Sequence, residues 1–125
     1  MHDQPSVSEL VQAVKNFVDH SAMPELKGRA AFHARVASNV LATILRDLEA
    51  REGNDAAEYE RLKALLPGSD GKSRETLNEE LRDKIRSGEL TVESAALMDH
   101  LKKTAIAQLK VDQPKYSGLA TALED

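Results

Sequence analysis

Four histidines, at positions 2, 20, 33 and 100, are the side chains best suited to proton transfer or metal ligation near neutral pH. None has a second ligand at helical spacing: neither HxxxH nor HxxEH occurs, and Ala37 stands one turn after His33, where a helical metal pair needs a donor. His33 is the sharpest candidate because it falls inside the apolar arc of residues 30–49, AAFHARVASNVLATILRDLE. An imidazole there either hydrogen-bonds within a core or serves a buried site, and the structural role is the simpler one. Asp99 and His100 are adjacent, but neighbours on a helix diverge by about 100° and make no dyad. Ser38, Ser94 and the loop serines lack a GxSxG elbow. The segment PGSDGKS (67–73) ends in Gly-Lys-Ser, yet Leu66 stands where a phosphate loop has its first glycine, and the residues before it read as helix rather than strand. No catalytic, cofactor-binding or metal residue is therefore assigned, and the chain is expected not to be an enzyme.

The positions left for ligand or partner contact are His33, Arg35, Asn39, Arg46 and Tyr116. Arg35, Asn39 and Arg46 share the polar strip of the same segment; their many donors suit the carbonyls of an adjoining helix end or an acidic partner. Tyr116 follows Pro114 in VDQPKY, where its ring can pack back onto a helical body with the hydroxyl wet, or meet a ligand.

Something must position these residues, and the sequence predicts helices. At about 100° per residue, Phe32, Val36, Val40, Ile44, Ala37, Leu48, Leu41 and Leu45 sweep more than half of a circumference. Such an arc needs neighbours on two or three sides, so a central helix over about 29–51 is expected to be the hub of a bundle. Ser6 with Glu9 makes a capping box for a first helix from Val7 to about Ser21, broken at Met23-Pro24. Gly53-Asn54 reads as the stop of the hub helix, and Asp55 with Glu58 as the start of a short third one carrying Tyr59, Leu62, Leu65 and Leu66. PGSDGKS is expected to be the flexible loop. Leu77, Leu81 and Ile85 define a fourth helix between a Ser73 cap and a Gly88 stop. Thr91 is expected to cap a fifth, through about Leu109, with Leu97, Met98, Leu101, Ala105 and Leu109 as its stripe. No period-two strand pattern or internal repeat occurs. The expectation is an all-α, single-domain bundle of about five helices, with residues 1–6 flexible and 117–125 a loosely docked tail.

Composition bounds the rest. At 125 residues the chain can bury one core without disulfides, and with 3% aromatic residues and no Trp that core must be aliphatic. The absence of Cys removes thiol nucleophiles, disulfides and cysteine zinc sites, and fits a cytoplasmic location. A net charge of −4 disfavours nucleic acid and anionic membrane as partners. No stretch approaches the roughly 20 apolar residues of a membrane span.

FHARVASNVLATILRDLE, LNEELRDKIRSGEL and LKVDQPKY, in this order, resemble a family of small bacterial helical proteins of unknown function. The resemblance runs from about Val7 to Tyr116. Phe32, His33, Arg35, Val36, Ala37, Asn39, Arg46 and Leu48 form its centre, supported by Leu77, Ile85, Gly88, Asp112, Pro114 and Tyr116; Gln113 departs from the family's asparagine before proline. It implies a genomic setting, beside or fused to aminoglycoside-phosphotransferase-like kinases and acyl-CoA dehydrogenases, and no catalytic residues. The leading expectation is thus a noncatalytic accessory or interaction module linked to such a kinase or to acyl-CoA metabolism, with a homo-oligomer also open. The alternative is a small-molecule or acyl-group binder with a pocket between helices near His33, Asn39 and Tyr116.

Overall fold

A computed structural model describes residues 4–124. Among these residues the fold is all α: α1 (Val7–Phe17), α2 (Gly28–Leu65), α3 (Arg74–Arg86), α4 (Ala95–Asp112) and α5 (Ser117–Glu124), with no strand. No helix is long and apolar enough to cross a membrane. The chain forms two compact units, Met1–Arg51 and Glu52–Asp125. His2, part of the expected flexible N-terminus (1–3) and the last residue of the expected tail (125) lie outside the described residues.

In the first unit, the Ser6 hydroxyl accepts from the Glu9 amide at 3.1 Å, capping α1 as the sequence predicts. The helical path continues past Phe17 as a π-helical turn (Val18–Ala22) and a 3₁₀ turn (Met23–Glu25) that takes in Pro24. Asp19 ties this turn to α2. Its carboxylate accepts from Lys15 at 2.7 Å, one turn earlier, and from the hydroxyl of Ser38, which is buried on α2. The Lys15 and Ser38 hydrogen bonds hold the Asp19 carboxyl below its ordinary range.

The expected stop at Gly53-Asn54 does not occur. The helix from about 29 to 51 and the separate helix expected after it are one helix, α2, of 38 residues. A glycine stop needs left-handed backbone, and Gly53 has no positive φ. Interior glycine costs a helix about 1 kcal/mol, less than the contacts that keep the following residues helical. Arg74 of α3 holds Asp55 at 3.0 Å and Glu58 at 3.1 Å. Leu62, one turn beyond Glu58, is fully buried in the second unit's core.

That core consists of Leu62, Leu66, Leu77, Leu81 and Leu97, with Tyr59, Leu65 and Leu90 packed against it. It is aliphatic, as the composition requires, but it lies on the last turns of α2, on Leu66 just after it, and on α3 and α4 rather than on the expected hub. The loop after α2 is tethered rather than loose. Buried Ser69 donates to the Lys63 carbonyl at 3.2 Å, and the Tyr59 hydroxyl donates to the Lys72 carbonyl at 2.7 Å. Lys72 itself pairs with Glu80 at 2.5 Å, so the lysine of the Gly-Lys-Ser run binds a carboxylate of α3.

Ser73 caps α3 by accepting from the Thr76 amide at 3.1 Å. Gly88 ends that helix with φ +82°, which allows the Leu90 amide to reach back to the Lys84 carbonyl at 3.1 Å. Thr91 does not cap α4. It begins a turn in which its carbonyl accepts from Ser94, and Ser94 is the cap, accepting from the Leu97 amide at 3.2 Å. Thr91 and Ser94 carry the same capping chemistry, and the chain uses the one nearer the buried Leu97. The tail forms α5, seated by buried Leu119.

Candidate functional site

Two features stand out, one in each unit. The first is an apolar surface. Phe32, Val36, Val40 and Ile44 recur every fourth residue on α2 and are 58%, 44%, 52% and 40% exposed. On a helical wheel they sweep about 120° and lie on the side away from Ser38, the residue that bonds to the Asp19 turn. On α1, Val7, Leu10, Val14 and Phe17 are exposed as well. The wide arc of the hub is real, but it is not covered as expected: the large side chains at its centre face outward.

The residues singled out for ligand or partner contact lie around this surface or apart from it. His33 is exposed, its ring edge-on to Phe32 with centroids 5.6 Å apart, rather than enclosed in a core. Arg35 is exposed on the same helix. Asn39 and Arg46 are joined through Thr43, whose hydroxyl donates to the Asn39 carbonyl at 3.1 Å and accepts from Arg46 at 3.1 Å. That chain runs along the helix and satisfies its own backbone. Tyr116 belongs to the second unit, is half exposed, and lays its ring over Gly118, where an added Cβ would meet the ring at 2.5 Å.

The second feature is a polar node that the sequence did not single out. His100 of α4 is only 4% exposed, and its Nδ1 accepts from Arg61 Nε at 3.1 Å. The same guanidinium donates to the Thr104 hydroxyl at 3.1 Å, one turn along α4. With Nδ1 an acceptor, the neutral ring carries its proton on Nε2. Burial and then the Arg61 charge push the His100 pKa down.

Nearby along α2, burial pushes the Glu58 carboxyl upward, but hydrogen bonds from Asn78 at 2.9 Å and Arg74 at 3.1 Å outweigh it and leave it below its ordinary range. Arg61 and His100, with Ala64, Leu65, Ala96 and Asp99, line a pocket of about 150 Å³. The node holds helices together more readily than it moves protons. The His100 Nδ1 lone pair is already used by Arg61, and the lowered pKa makes the neutral ring a weaker base.

Its one local sequence signal was His100 and Thr104 a turn apart on the face of Leu97; Arg61, 39 residues away, left none. Among the described residues no group of three or more His, Asp or Glu side chains is placed to hold a metal ion.

No curated protein and no solved structure matches this chain. Residues 24–116, which take in α2, α3, α4 and Tyr116, match a domain of unknown function, DUF6285. With that match covering most of its length, the chain belongs to the DUF6285 family.

Proposed function

We propose that this chain is a noncatalytic helical interaction module of the bacterial cytoplasm, accessory to a phosphotransferase-like kinase or an acyl-CoA dehydrogenase. The observation that carries the reading is the exposed apolar surface of the first unit. Four large aliphatic or aromatic side chains in one stripe on α2, and four more on α1, stand in water, more than scattered surface residues require, and exposed apolar stripes of this kind mark association sites. The kinase and the dehydrogenase are the enzymes that the family resemblance sets beside such chains. Coelution of the purified chain with the two neighbouring enzymes tests the reading. A complex that Val40→Glu disrupts is expected, and failure of both enzymes to bind, with their activities unaltered, overturns it.

A second reading, a small-molecule binder, has the Arg61–His100 pocket in its favour. At about 150 Å³ that pocket is below the roughly 300 Å³ at which ligand sites begin, and its wall holds none of His33, Asn39 or Tyr116. It suits a few heavy atoms rather than an acyl chain.

A further inference from the structure

We infer that the apolar stripe of α2 docks against the same stripe of a second copy of this chain, antiparallel, about a two-fold axis midway between Val36 and Val40. The inference rests on the interaction-module reading: the dimer is the form in which the module meets an enzyme, so Val40→Glu breaks an enzyme complex by breaking the dimer. Its first support is the order of residues along the stripe. Phe32, Val36, Val40 and Ile44 are spaced evenly, so reversing the direction of one copy sets Phe32 against the second copy's Ile44 and Val36 against the second copy's Val40. Residues whose numbers sum to 76 then oppose one another.

Charge makes the antiparallel sense the favoured one. Exposed Arg29 lies on the N-terminal extension of the stripe, and Asp47 lies on its C-terminal extension, on the same wheel angle as the stripe's centre. Their numbers also sum to 76. Antiparallel docking brings each Arg29 to the second copy's Asp47, twice per dimer. Parallel docking sets like charges together at both ends. Within its own chain Asp47 pairs with Arg51 one turn on, at the exposed end of the stripe, and a second cation at its other side completes that carboxylate's surroundings. A surface that is complementary to itself under a two-fold rotation is the requirement for an isologous dimer.

Area sets the strength of the contact. At ordinary side-chain areas, the exposed fractions of Phe32, Val36, Val40 and Ile44 amount to roughly 350 Å² of apolar surface on one copy. Two such stripes offer roughly 700 Å², below the ~1,200–2,000 Å² of standard interfaces and in the range of a weak, reversible dimer.

Sedimentation or light scattering at low salt, on the full chain, tests the arrangement. The wild-type chain is expected to be dimeric. Val36→Glu and Val40→Glu each raise the dissociation constant about a hundredfold, from the lost apolar area, with unchanged circular dichroism because both positions are exposed. Arg29→Asp and Asp47→Arg each weaken the homodimer about fivefold or more, since each sets like charges together at two places. Mixed in equal amounts, the two charge variants regain wild-type affinity, because the heterodimer restores both opposite-charge contacts. A monomeric wild-type chain at about 100 µM, a dimer indifferent to Val40→Glu, or charge variants without rescue on mixing overturns the inference. A monomer that still binds the kinase or dehydrogenase through Val40 fails only the self-docking. A monomer that binds neither fails both.

Discussion

Replacing Gly53 with alanine should stabilise the second unit, and the sign of the effect decides how α2 is built. If Gly53-Asn54 ended a helix, Gly53 would hold left-handed backbone, and a Cβ there would cost about 1–2 kcal/mol. In the structure Gly53 is an interior residue of a 38-residue helix without positive φ, and a Cβ built on it meets nothing within 4 Å. Alanine then loses less backbone entropy on folding, a gain of about 0.5–1 kcal/mol.

The chain has no Trp, and its two tyrosines, Tyr59 and Tyr116, both lie in the second unit, so tyrosine fluorescence in urea follows that unit. The gain corresponds to a rise in melting temperature of about 2–5 °C. Gly88→Ala is the control, because Gly88 sits at φ +82° and the same substitution there should destabilise by about 1 kcal/mol or more. A Gly53→Ala variant that loses stability as Gly88→Ala does would refute the continuous helix.

Leu62→Ala removes a side chain with no exposed surface from the centre of the second unit's core and should cost about 3 kcal/mol, read from the same tyrosine transition. Acid should weaken that unit in two stages. His100 has its folded pKa below its ordinary 6.5, so the unfolded chain binds more protons in that window; its contribution is complete above about pH 6.5 and is lost as pH falls through the folded value. Glu58, also depressed, contributes fully above its ordinary 4.5 and loses its part as pH falls below that. His100→Gln should flatten the pH dependence of the urea midpoint between pH 7 and 5, and a profile unchanged by the substitution would remove His100 as its source.

Helix identity was legible to the extent that it depends on residues within a few positions of one another. Ser6, Ser73 and Gly88 announce α1 and both ends of α3 because a hydroxyl reaches an amide three residues on, and a glycine bends its own backbone, without help from elsewhere. Ser94 and Thr91 offered two such caps three residues apart, and only the burial of Leu97 chose between them. Gly53 carried a stop signal that tertiary contacts overrode. His100 looked inert because its partner, Arg61, is remote in sequence, whereas His33 looked enclosed because its helix is apolar all around it.

The sequence by itself determined that this chain is helical and aliphatic in its core, because periodicity, caps and composition act locally or in sum. It also marked residues 29–51 as too apolar to stand alone. Which apolar residues are covered was decided only in three dimensions, because burial depends on what other elements bring to a face. In the second unit α3 and α4 bring Leu77, Leu81 and Leu97 to α2. In the first, Phe32, Val36, Val40 and Ile44 are left to meet something else.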